Sequence, residues 1–111
     1  MNDKEKEIYR VIDNVKCCAI ELPNGTLSIS RDDILGKSRE ENIVMARAMV
    51  VEQILHAGFS ITTIAQILSR NVASIRHLRK LAYNYLSISR VYRLATAQAT
   101  LLNKDVEPIC I

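Results

Sequence analysis

Turn-forming residues are scarce in this chain: its 111 residues include three glycines and two prolines. Tryptophan is absent, and aromatic residues make up 5%. A β-sandwich or barrel needs many turns and many β-branched or aromatic strands, so this scarcity argues against both and for long helices with few connections. Cysteine is scarce as well. Cys17, Cys18 and Cys110 do not make a disulfide framework. Neighbouring Cys17 and Cys18 cannot bridge without strain, and on a helix they point to different sides. They read as reduced thiols of a cytoplasmic protein, and with no partners at ligand spacing no metal site is expected. Long apolar runs are missing too. The most apolar stretch, Ile43 to Leu55, is cut by Arg47 and Glu52 and is too short to span a bilayer. Residues 2–7, Asn-Asp-Lys-Glu-Lys-Glu, are the opposite of an apolar signal core, so neither a membrane segment nor a targeting segment is expected. With 49% hydrophobic and 24% charged residues, the composition fits one folded domain with a single modest core.

The most informative absence is local. Residues 53–104 contain no Asp or Glu, yet they carry Arg70, Arg76, Arg79, Lys80, Arg90, Arg93 and Lys104. Residues 1–52 carry eight basic and ten acidic side chains, and 105–111 add Asp105 and Glu107. The formal net charge of +3 is therefore a cancellation between a +7 stretch and two stretches at −2. Unopposed cations on a folded surface attract polyanions. The alternative is a solvated helix face whose counter-charges come from the N-terminal half.

Helical periodicity organises most of the chain. Ile8, Val11, Ile12, Val15, Cys18 and Ala19 lie at helical spacing over residues 4–19. Glu21 to Gly25, with Pro23 and Asn24-Gly25, is a turn signal, and Leu27 to Ser30 reads as an extended connection. Ser30 is a cap for a brief helix over Arg31–Leu35, with Gly36 closing it in the left-handed conformation. Ser38 with Glu41 has the capping-box pattern for a helix running to about Ala57, stopped by Gly58. Its apolar residues cover most faces, which predicts the central buried helix. Ser60 caps a helix over Ile61–Leu68, and Asn71 caps another from Val72 to about Leu86. Ser87 or Ser89 caps a last helix to about Asn103, with Val91, Leu94, Ala95, Gln98, Leu101 and Leu102 as its inner stripe. The expected architecture is all-α: a compact bundle of about five to six helices in one domain over 1–104, followed by a tail over 105–111.

Residues 60–86 have the form of a helix-turn-helix. Ile64, Leu68, Ile75 and Leu78 supply apolar contacts where two helices cross, and Ala65 is small where the backbones approach. The turn carries Ser69 where glycine is usual. The second helix would bury Ile75 and Leu78 and expose Asn71, Val72, Ala73, Arg76, His77 and Lys80. Without carboxylates at its N-terminal end, such a helix suits a major groove, and its dipole favours phosphate. The competing reading is an ordinary αα-hairpin. His77 reads as a surface or groove-facing imidazole, since His56 is the one other histidine. Tyr83, Tyr85 and Tyr92 read as packing residues with hydroxyls at the surface.

Asp33-Ile-Leu-Gly-Lys-Ser-Arg39 resembles the D-L-L-G-K-S-R motif of the C-terminal DNA-binding domain (domain IV) of the bacterial replication initiator DnaA. Ile43-Val-Met-Ala-Arg47 resembles its I-V-x-A-R, Ser60-Ile-Thr-Thr-Ile64 its S-L-P-E-I, and Arg70 to Ile75 its R-D-H-T-T-V signature. The resemblance covers roughly residues 8–86 and implies a helix-turn-helix fold of the Trp-repressor-like kind. It also implies roles. Arg39 would enter the minor groove, and Arg70 and Ser74 would touch phosphate. Thr62, Asn71, Val72 and Ala73 would fall where the family contacts bases. The family's Asp-His-Thr is Asn71-Val72-Ala73 here. Val72 and Ala73 offer only apolar contact to a thymine methyl, and Asn71 could bond an adenine edge, so the implied binding is to another sequence or largely to the backbone. The nucleotide-binding domain that precedes this domain in DnaA has no counterpart here. No P-loop occurs, so neither ATPase activity nor nucleotide binding is expected.

The expectation is double-stranded DNA binding by a stand-alone accessory of replication or transcription in a bacterium, phage or mobile element. Arg39, Arg70, Arg76, Arg79 and Lys80 would lie on the DNA face. The alternative is a protein-interaction module pairing with an initiator or with itself. Catalysis is not expected: no paired carboxylates, nucleophile–base arrangement or cofactor motif occurs.

Overall fold

The computed structural model describes residues 2–19 and 29–107. The Glu21–Gly25 turn, the Leu27–Ser28 connection and Cys110 lie outside the described residues. Six helices follow in order: α1 (Asp3–Ala19), α2 (Arg31–Leu35), α3 (Glu41–His56), α4 (Ile61–Ile67), α5 (Val72–Ile88) and α6 (Arg90–Leu102). The fold is all-α, with no strand among the described residues.

Local capping explains where these helices begin and end. The Asn2 side chain accepts the Glu5 amide at 2.8 Å at the start of α1. Ser30 and Asp33 form a reciprocal capping box around the first turn of α2. Ser60, Asn71 and Ser89 each accept the amide three residues on, opening α4, α5 and α6. Gly58, at φ 105°, ends α3. The Phe59 amide reaches back to the Ile54 carbonyl and the Gly58 amide to Leu55, which is the Schellman pattern. Phe59 and Ile54 are both buried, so the stop is also a packing contact.

Two boundaries differ from expectation. Gly36 sits at φ −78°, outside the left-handed region. Close approach explains the glycine: a Cβ there would lie 2.9 Å from the Asp32 carbonyl oxygen. Ser38 does not cap α3. Its hydroxyl accepts the Glu40 amide at 3.2 Å, and the helix starts at Glu41. The Ser38 carbonyl is instead bound by Arg47, which holds this segment out of the helix.

α3 is the central element and packs against every other helix. Met45, Ala46, Ala48, Met49, Val50, Val51 and Ile54 are buried along it, so no polar face remains over most of its length. α1 contributes Ile8, Val11, Ile12, Val15 and Cys18, as its spacing predicts. α2 is tied to α1 by an exposed Arg31–Asp13 ion pair at 2.7 Å, and the Arg31 guanidinium also stacks over Tyr9. Asp13 raises the basicity of Arg31 through that hydrogen bond.

α6 packs through a face that overlaps the predicted one only at Ala95 and half-buried Val91. Tyr92, Ala95 and Ala99 are buried, while Leu94 and Leu101 are exposed and Leu102 is 46% exposed. Alanines let α6 lie close to its neighbours, and the Tyr92 ring, 5.2 Å from that of Tyr85, fills the remaining volume. Asn103 closes the helix as a buried polar link. It accepts from Asn14 at 2.8 Å and donates to Gln53 at 3.2 Å. Arg10 pairs with Asp105 at 2.6 Å and Val106 is buried, so the packed unit runs past residue 104.

The Tyr92 hydroxyl is a second departure. It is buried rather than at the surface and has no hydrogen-bond partner among the described residues. Burial, Glu52 and Tyr85 all push its ionisation upward, so it stays neutral. Removing that hydroxyl relieves a buried group without a partner. Tyr92→Phe is therefore expected to leave stability unchanged or raise it by up to about 1 kcal/mol in denaturant unfolding. A loss above that size would indicate a hydrogen bond to the hydroxyl.

Candidate nucleic-acid interface

The sequence of α3 is apolar on nearly every face, yet Arg47 sits in its middle and is 6% exposed. Its guanidinium donates to three backbone carbonyls: Ile34 at 2.7 Å, Asp33 at 2.9 Å and Ser38 at 2.9 Å. Arg70, from the turn between α4 and α5, donates to the carbonyls of Leu35 and Gly36, and more weakly to that of Leu68. Two guanidiniums thus satisfy carbonyls that the end of α2 would otherwise leave bare. Burial lowers the basicity of both arginines, and the charge of Arg70 lowers that of Arg47 further. An arginine stays protonated under any such shift, so two cations remain close together beneath this surface.

The same arginines line a groove of about 820 Å³ between the 37–39 segment, α3 and the first turns of α5. Lys37, Arg39, Asn71, Ala73, Ser74 and His77 also line it, and none of its lining residues is an Asp or Glu. Of the residues singled out in the sequence, Arg39, Arg70, Asn71, Ala73, Ser74 and His77 therefore come together. Lys37 and Arg47 were missed. The signal for Arg47 was its interruption of the apolar run in α3.

The remaining predicted residues lie elsewhere. With Ile75, Leu78 and Ala82 buried, helical geometry centres the solvent face of α5 on Ala73, Arg76, His77 and Lys80, all exposed. Arg79 is exposed but flanks this face, in a shallow cleft shared with Glu52, Leu55, His56 and Tyr83. Thr62 is exposed in the first turn of α4. Val72 departs from the expected exposure. It is half-buried against the core, because the first turn of α5 leans on that core. Arg70 also departs from the role assigned to it, since its terminal nitrogens are held by carbonyls rather than presented freely. Asn71 spends its side-chain oxygen on the Ser74 amide at 2.7 Å.

None of the cations of residues 53–104 forms an ion pair among the described residues. The ion pairs there join Arg10 to Glu7 and Asp105, and Arg31 to Asp13. Among the described residues, no counter-charge from the N-terminal half reaches the basic half at ion-pair distance. No three His, Cys, Asp or Glu side chains come together among the described residues, and no helix is long and apolar enough to cross a membrane.

The turn that sets the α4–α5 angle ends as α3 does. The Arg70 amide bonds the Ala65 carbonyl at 2.9 Å and the Ser69 amide bonds Gln66, a second Schellman pattern. Here Ser69, at φ 54°, occupies the left-handed position that Gly58 fills after α3. Comparison with family models, curated proteins and solved structures gave no match.

Two substitutions test this framework. Arg47→Met leaves the carbonyls of Asp33, Ile34 and Ser38 without their donor and is expected to cost about 2–4 kcal/mol in denaturant unfolding. Arg47→Lys keeps the charge but not the fork, and should recover only part of that loss. Ser69→Gly relieves a left-handed serine and is expected to gain up to about 1 kcal/mol, read as a higher melting temperature.

Proposed function

We propose that this protein binds double-stranded DNA, with α4 and α5 acting as a helix-turn-helix and α5 facing the major groove. The single observation that carries the reading is a cationic helix face beside a groove with no carboxylate in its lining. Arg76 and Lys80 sit on the solvent face of α5, beside a groove lined by Lys37, Arg39, Arg47 and Arg70. A duplex presents phosphates at regular intervals on both sides of its major groove, and a helix face flanked by fixed cations complements that spacing. The resemblance to DnaA domain IV supports the same reading and the same orientation. On it, the chain is an accessory of replication or transcription.

The balance of contacts favours phosphate over bases. Asn71 is committed to its cap, Val72 is half-buried and Ala73 has no polar atom, so three of the positions expected to read bases have little left to read with. Arg76 is the arginine at the centre of the solvent face of α5, and it can bond a guanine edge in two places. Binding is therefore dominated by the sugar–phosphate backbone, with a modest preference set by Arg76, Lys80 and Thr62.

Fluorescence anisotropy of a labelled duplex across salt concentration tests this. Affinity should fall steeply with salt. Arg76→Ala/Lys80→Ala should weaken binding at least tenfold and lower the salt slope by about two, roughly one per lost phosphate contact. Arg79→Ala should have the smaller effect, since it flanks the face. An unaltered circular dichroism spectrum checks that each variant folds. Absence of duplex binding at about 50 mM salt would overturn the proposal, because electrostatic binding is strongest there.

A further inference from the structure

Beyond its first turn, the outer face of α6 carries no charge, where a solvated helix is normally charged. Tyr92, Ala95 and Ala99 define its inner face. At 100° per residue, Arg90, Leu94, Ala97 and Leu101 centre the opposite one. Leu94 is 61% and Leu101 71% exposed, and the sequence from Leu94 to Asn103 holds no charged residue. Arg90 occupies the positive end of the helix dipole and has no hydrogen-bond or ion-pair partner among the described residues, an unfavourable place for a lone cation. At the other end, the Asp105 side chain is 71% exposed, and Arg10 engages its Oδ1.

This arrangement is self-complementary. Leu94 and Leu101 are equidistant from the point between Ala97 and Gln98, and Arg90 and Asp105 are equidistant from the same point. We propose that α6 is a self-association surface, on which a second copy of this chain packs antiparallel about that point. Leu94 then meets the partner's Leu101, and each contact occurs twice, as two-fold symmetry requires. Ala97 is small where the helices cross, which allows close approach. Arg90 lies over the carbonyl end of the opposing helix and near the partner's Asp105. That position supplies the counter-charge its own chain does not provide.

A single helix face sits at the low end of interface sizes, so the dimer is weak and fills only at high micromolar concentration. Sedimentation velocity of the full chain without DNA tests it and is independent of the DNA-binding reading. The expected result is a mass rising with concentration toward twice that of the chain. Leu94→Glu/Leu101→Glu should remain monomeric throughout, with an unchanged circular dichroism spectrum and unchanged melting temperature. Arg90→Glu should raise the dissociation constant several-fold at low salt. A wild-type chain that stays monomeric overturns the proposal, as does a dimer that survives the double substitution.

Discussion

Two arginine guanidiniums hold five backbone carbonyls between residues 33 and 38, and the rest of the candidate site depends on that bond set. Helix α2 is only five residues long and cannot satisfy its own C-terminal end. Arg47 comes from the buried centre of α3 and Arg70 from the turn before α5, so one short segment is fastened to the two elements that form the groove. The desolvation of each guanidinium is offset by charge-assisted hydrogen bonds rather than by a carboxylate. A carboxylate would have neutralised the charge. Carbonyls satisfy the donors and leave the positive potential in place.

That choice of acceptor links folding to electrostatics. The cations that position the 37–39 segment also contribute to the field above it, where Lys37, Arg39 and His77 line the same groove. Exposed cations on α5 add to it, with no ion pair to cancel them among the described residues. Structure and charge are therefore carried by overlapping residues, and changes to the buried pair would alter both. The opposite arrangement holds along α1, where Arg10 and Arg31 are matched by carboxylates, and the Arg10–Asp105 and Arg31–Asp13 pairs fasten α1 to its neighbours.

The sequence made local events legible. Ser30, Ser60, Asn71, Ser89 and Gly58 act within four residues of themselves, so their types announce helix ends directly. The central place of α3 was equally readable, because an apolar helix with no polar face has to be surrounded. The misread positions depend on distant partners. Arg47 and Arg70 reach carbonyls up to 35 residues away, and a carbonyl acceptor has no residue type to mark it. The inner face of α6 was misread in part: Leu94, Leu101 and Leu102 were placed on it because leucines outrank alanines in hydrophobicity, whereas close helix packing favours the alanines. Val72 was assigned to the surface by its place in a motif, although the tilt of α5 decides its exposure.

Ser89 ends α5 and begins α6, so one residue separates two long helices. The junction has no slack. An inserted or deleted residue would rotate every position of α6 by about 100° relative to α5 and move Tyr92 out of the core. Substitution at the junction and change of its length are thus very different events. Across descendants of this chain, the spacing between the basic helix and the leucine-bearing helix should be more constant than the residues that fill it.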